Sequence, residues 1–177
     1  MDLKFRKLKA GEISVRIKQV GESKGKVWAM MLLYKDARCD MAILDETVGA
    51  MNWQREHSTV NGDMFCSVGI KDENGVWVWK QDCGTEGDSG TEAEKSRASD
   101  SFKRACTNWG IGRELYTPIR IVITLEGDEI MSGSHVKASP RARFYVSEVG
   151  YSEEGAINLL KIVDKNGKER FNFKGAV

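Results

Sequence analysis

Between Glu12 and Val20 apolar and polar residues alternate, with Ile13, Val15 and Ile17 pointing one way and Ser14, Arg16 and Lys18 the other. A period of two predicts a half-buried strand with a basic outer face. "GESKGK" supplies a turn, and "VWAMMLLY" predicts a second, more buried strand. Asp36 is placed to cap a helix in which Ala37, Met41, Leu44 and Val48 recur at helical steps and Gly49 lies near the end. "WQREHSTV" and "MFCSVGIK" flank Asn61-Gly62, a hairpin signal of the type I′ kind. "DENG" turns the chain into "VWVWKQDC", which is apolar on both faces and reads as a central strand covered on both sides. After the acidic "GTEGDSGTEAE", expected to be a flexible loop, a helix is predicted from about Thr91 to Trp109. Its apolar stripe is Ala98, Phe102, Ala105, Cys106 and Trp109, and Gly110 stops it. "IRIVITL", "RFYVSEVGY", "AINLLKIV" and "ERFNFK" read as further strands, the last three a meander.

Two strands, a helix, three strands, a helix and more strands make an α+β fold with a largely antiparallel sheet. The length of 177 residues suits one domain. The expected division is a core over residues 1–123, a mobile loop over 124–140, and strands over 141–177 packed on the same domain. No apolar run reaches membrane-spanning length, and "MDLKFRKLKAGE" is basic without the apolar block of a signal peptide. A cytoplasmic protein without a membrane partner is expected.

Charge changes this picture. The net charge is only +1, but its distribution is uneven. Residues 1–38 hold ten Lys/Arg against four Asp/Glu, and residues 39–94 hold three against twelve. Residues 95–120 hold six against two, and the remainder is balanced. If folding brings the two basic segments together, they form a positive surface that the total conceals. Arg16 and Lys18 on the first strand, with Lys24 and Lys26 in and after its turn, make one cationic element. The later helix makes another. At 100° per residue Arg97 and Arg104 share one flank of its apolar stripe, and Lys103 leans to the other side.

Other chemistries find little support. The four cysteines, at 39, 66, 83 and 106, lack zinc-knuckle spacing and read as reduced thiols. "GESKGKVW" has too few residues between its glycines for a phosphate loop, and Val27 stands where Ser or Thr would hold magnesium. "GIGRELY" lacks the third glycine of a dinucleotide fingerprint. A metal-dependent nuclease is the enzyme alternative, because Asp72, Glu73, Asp82 and Glu86 sit at strand ends. Acids in a turn such as Asp72-Glu73 also have local reasons to be there. A protein-interaction module with incidental basic segments is a further alternative. No catalytic residue, metal site or cofactor is expected.

Two stretches, "ISVRIKQVGESKGKVWAMMLLYKDARCDMAILDETVGAMNWQ" and "VWVWKQDCGTEGDSGTEAEKSRASDSFKRACTNWGIGRELY", resemble the Sak-type phage single-strand annealing proteins of the Rad52 superfamily. The likeness covers about residues 5–120, with Glu114 standing where the pattern has an aromatic. The resemblance implies a curved sheet backed by a long helix, and protomers closed into a ring of about ten or eleven subunits. It implies single-stranded DNA lying in a positive groove, annealed without ATP during recombination and double-strand break repair. Arg16 in "ISVR", Lys26 in "GKVW", and Lys103 and Arg104 in "FKRA" fall on groove-lining positions. A single-strand binding protein or an exonuclease is an implied partner, and the host cell's cytoplasm the implied location.

Overall fold

The structure is a computed structural model that describes residues 3–85, 93–131, 133 and 135–175. In chain order the elements are β1 (Ser14–Ser23), β2 (Lys26–Tyr34), α1 (Ala37–Val48), β3 (Trp53–Val60), β4 (Asp63–Lys71) and β5 (Trp77–Cys83). Then come α2 (Ala93–Trp109), β6 (Ile121–Thr124), β7 (Ile130–Met131), β8 (Lys137–Ala138), β9 (Phe144–Tyr151), β10 (Ile157–Asp164) and β11 (Glu169–Lys174). The fold is α+β, and all strand pairs are antiparallel. The chain divides into two compact units, neither continuous in sequence. One is Met1–Lys7 with Lys35–Arg113; the other is Leu8–Tyr34 with Glu114–Val177.

In the first unit α2 packs on the sheet β3-β4-β5. Cys66, Val68 and Ile70 of β4 and Phe102, Ala105 and Cys106 of α2 are buried. Phe102 stacks on Trp53 at 6.2 Å between ring centroids, and the Arg55 guanidinium lies 4.6 Å from the Phe102 ring centre. Trp109 donates through Nε1 to the Val68 carbonyl at 2.9 Å. The predicted apolar stripe is therefore the packed face of the helix. Burial pushes the Cys66 thiol up to about 11 and the Cys106 thiol higher still, so both stay protonated.

Two expectations for this unit need correction. The "VWVWKQDC" strand is not central: β5 is an edge of its sheet, with Val76, Val78 and Trp79 exposed. Its two apolar sides come from two unrelated demands. Lys80 and Asp82 share the α2 side of the sheet with Val78, while Trp79 lies across β4 on the other side. There a Cβ at Gly69 would come within 2.8 Å of the Trp79 ring. The buried face of α1 is also rotated from the predicted stripe, to Asp40, Ile43 and Leu44. The cause is an ion pair. Lys35 Nζ donates to Asp40 Oδ1, with side chains only 5% and 0% exposed, and also reaches the Lys103 carbonyl of α2 at 3.4 Å. Gly112 leaves room for the lysine stem, since a Cβ there would lie 2.2 Å from it. Asp36 caps α1 as predicted, accepting from the Arg38 N–H at 2.7 Å.

In the second unit the sheet order is β11-β10-β9-β1-β2-β6. Its two outer strands approach each other: Arg170 of β11 donates to the Thr124 carbonyl of β6 at 2.5 Å. The sheet thus curls toward a barrel and buries its own inner face. Ile13, Ala29, Met31, Ile121, Ile123, Phe144, Val146, Leu160 and Ile162 form that face. The Arg170 side chain is 5% exposed and paired with Glu129 at 2.6 Å and Asp164 at 3.3 Å. Glu129 belongs to segment 124–140, expected as a mobile loop, which carries a 3-10 turn (Gly127–Glu129) and the β7-β8 pair. Glu114 takes the place of an aromatic usefully: it is buried, and its Oε1 accepts from the Leu8 N–H at 2.8 Å.

Phe102→Ala is expected to lower the unfolding free energy by about 3–5 kcal/mol in urea titrations, the cost of emptying a buried aromatic site. Burial raises the Asp40 carboxyl to about 6 despite Lys35. Because this group's pKa is higher in the folded chain than in the unfolded one, the stability it contributes is fully present below about pH 4. It falls as pH rises through 6. Carboxyl NMR of Asp40 should titrate near that value, and the urea midpoint of Asp40→Asn should lack this component of the pH dependence.

Candidate nucleic-acid interface

The seven cations singled out by sequence fall into two groups, one in each unit. Arg16, Lys18, Lys24 and Lys26 stand on the β1-β2 hairpin of the second unit, all exposed. Strand alternation sends Ile13 into the core and Arg16 to the outer face. The ladder then steps from Ile17↔Met31 to Gln19↔Met30, which leaves Lys18 as the extra residue of a β-bulge. Without that step Gln19 rather than Val20 would fall on the inner face. Lys24, at φ 51°, and Gly25, at φ 71°, make the turn, which lifts Lys24 clear of the sheet. At ~3.3 Å per residue, Lys24 stands roughly 26 Å along the strand from Arg16. The hairpin residues 13–34 carry four cations and one carboxylate, Glu22.

Arg16 has an aromatic neighbour. Its guanidinium carbon lies 5.7 Å from the centre of the Tyr34 ring, a cation–π contact across β1 and β2. The strand pattern shows Tyr34 only as the end of an apolar run, so sequence gave no sign of this contact. Tyr145 is likewise missed, although Ser14 pairs with both Tyr34 and Tyr145 and so puts the two phenols on one face.

Arg97, Lys103 and Arg104 stand on α2 of the first unit, all partly exposed. Packing of Phe102 and Trp109 fixes the helix's rotation and hence where these cations point. Arg104 Nε donates to Asp82 Oδ1 at 3.2 Å, and Asn108 Nδ2 donates to the other oxygen of the same carboxylate. Asp82, near the end of β5, thus orients Arg104. The Lys103 backbone is held by Lys35, and its positive charge helps keep the Asp40 carboxyl lower than burial alone would. Arg97 is half-buried, with a buried Nε lacking a hydrogen-bond partner. Its carbonyl lies so close to Gly84 that a Cβ there would come within 2.4 Å of the oxygen. The acidic stretch 86–92 between β5 and α2 lies outside the described residues, Glu86 included.

The acids considered for metal chemistry have local roles. Asp72 Oδ1 accepts from the N–H groups of Asn74 and Val76 at 2.8 Å each, closing the "DENG" turn. Asp82 holds Arg104. Among the described residues no group of three or more His, Cys, Asp or Glu is placed to hold a metal ion. Among them, too, no helix is long and apolar enough to cross a membrane.

A model of the Rad52/22 family, described as double-strand break repair protein, matches residues 5–121. That span takes in both cationic groups and ends as β6 begins. No curated protein matches the chain.

Arg16, Lys24 and Lys26 are exposed and hold no part of the core. Alanine at Lys24 or Lys26 should change the unfolding free energy by no more than about 0.5 kcal/mol, and at Arg16, which loses the Tyr34 contact, by no more than about 1 kcal/mol. Thermal melting of the three single variants checks this and separates a surface role from a structural one.

Proposed function

The chain belongs to the Rad52/22 family of double-strand break repair proteins, and on that premise we propose that it binds single-stranded DNA and anneals complementary strands without ATP. The observation that carries the reading is the pair of cationic elements, β1-β2 and α2, held on rigid secondary structure inside the family-matched segment. An annealing protein has to hold a strand without reading it. Contacts must go to phosphates and leave base edges free to pair. Exposed Arg16, Lys18, Lys24 and Lys26, with Arg97, Lys103 and Arg104, suit that task, and Lys and Arg on a fixed backbone give it without sequence preference. A handful of cations per chain binds weakly. Repetition in a closed homo-oligomer, which the family resemblance suggests is a ring of about ten or eleven copies, raises the effective concentration of each contact and makes the whole strong. A phage-encoded recombination role in the host cytoplasm, alongside a single-strand binding protein or an exonuclease, completes the proposal.

Lys103→Ala, Arg104→Ala and Arg16→Ala should each weaken binding about equally on unrelated single-stranded sequences. Each should also reduce the salt slope, log Kd against log salt, by about 0.7 per lost phosphate contact. Unchanged affinity at low and moderate salt would remove the residue from the interface. A strand-annealing assay without nucleotide tests the activity itself: magnesium-dependent degradation in place of annealing would mark a nuclease, and no salt-dependent binding at all a protein-interaction module. Light scattering at micromolar concentration should report a multimer; monomer alone, with and without DNA, would refute the oligomeric part.

A further inference from the structure

The match to the family ends at residue 121, yet a strand beyond it contributes to the surface that carries Arg16. β1 and β9 are neighbours in the six-stranded sheet but are joined by a single pair, Ser14↔Tyr145. Around that pair the seam opens into a cleft of about 400 Å³, in the size range of small-ligand sites. Arg16 and Tyr34 line it on one side, and Arg143 and Tyr145 on the other. Two arginines and two tyrosines therefore line one opening, and among the described residues its lining includes no carboxylate. Tyr34 is 39% and Tyr145 50% exposed, so both residues present surface to solvent, while Phe144 and Val146, on either side of Tyr145 in β9, are buried.

We propose that this cleft is a nucleotide subsite: Arg16 and Arg143 hold a backbone phosphate of single-stranded DNA, and the base lies against Tyr145. The chemistry favours nucleic acid over a peptide. Arginines provide planar forks for phosphate oxygens, and aromatic rings accept any base by its π-face. Stacking occupies the face of a base and leaves its pairing edge exposed, which is what a strand awaiting its complement requires. The carboxylates nearest in sequence are engaged elsewhere: Glu12 accepts from the Lys9 N–H at 2.7 Å, and Glu148 pairs with Lys161 at 2.6 Å. Arg143 lies just before β9, where its Nε donates to the Pro140 carbonyl at 3.3 Å. The turn Ser139–Arg143 thus aims it. This subsite rests on the single-strand reading above and adds to it a contact from the C-terminal meander.

The test uses the full chain and two fluorescent probes, an oligo-thymidine strand and a matching strand of abasic sugar-phosphate. Arg143→Ala should weaken both and lower the salt slope by about 0.7. Tyr145→Ala should weaken oligo-thymidine about five- to a hundredfold and leave the abasic strand nearly unchanged, and Tyr145→Phe should restore binding. A strand carrying 5-iodouracil should crosslink to Tyr145 or Tyr34 on irradiation. If Arg16→Ala and Lys103→Ala weaken binding while Arg143→Ala and Tyr145→Ala do not, the subsite is overturned and the single-strand reading stands. Crosslinks mapped only to other residues overturn it equally. Equal loss on both strands for Tyr145→Ala refutes stacking. If the unmodified chain binds neither probe, the single-strand reading itself fails and the subsite with it. Binding of an arginine-seeking acidic peptide to the cleft in preference to either strand would assign it to a protein partner instead.

Discussion

Lys35 and Asp40 lie almost wholly out of water, and each tolerates burial only because of the other. A lone ammonium or carboxylate in an apolar interior loses hydration that nothing returns, and removing one partner of such a pair typically costs about 3–5 kcal/mol. The constraint therefore sets where α1 can lie and how far it rotates, since Asp40 must face inward. Through the second bond of Lys35, to the Lys103 carbonyl, it also ties α1 to the helix that carries Lys103 and Arg104. Burial outweighs the attraction enough to lift the Asp40 carboxyl to about 6, so this pair serves placement more than net stability.

The second unit meets the same constraint with Arg170. Its guanidinium is buried against Glu129 and Asp164 and reaches the carbonyl of Thr124 on the far edge of the sheet. Arginine suits this position because its fork satisfies several acceptors at once. The ring of Phe144 lies 5.4 Å from the same guanidinium, so the residue that closes the sheet also packs on its core. In both units the buried charges order the backbone, while the exposed ones stand on the elements thus ordered. A chain of net charge +1 presents a cationic hairpin and a cationic helix because its charge is unevenly distributed along the sequence.

On the proposed function, rigid placement matters because the surface would have to hold any sequence. The bulge at Lys18 and the left-handed turn at Lys24 set where those ammoniums emerge, and the Asp82 carboxylate sets the direction of Arg104. At Arg16 the proposed surface also has aromatic neighbours, since Tyr34 and Tyr145 flank the open seam of the sheet. Phosphate attraction and base stacking make separable demands, one sensitive to salt and the other to the presence of a base.

Short-range physics was legible in the sequence. The alternation Ile13 to Lys18, the Asn61-Gly62 turn, the Asp36 cap and the stripe Ala98 to Trp109 each depend on residues within a few positions of one another. The structure has them as read. The exposed side of β1 was legible for the same reason, since the apolar alternation fixes the opposite face. Tertiary structure alone decided what depends on partners distant in the chain. It put β5 at an edge despite its tryptophans, turned Asp40 inward to meet Lys35, closed the sheet through Arg170 and Thr124, and brought Tyr145 beside Ser14 and Tyr34 across more than a hundred residues. Periodicity records which side of an element is apolar. It holds no information about which other element will cover that side, because that choice is made by packing and by the pairing of buried charge.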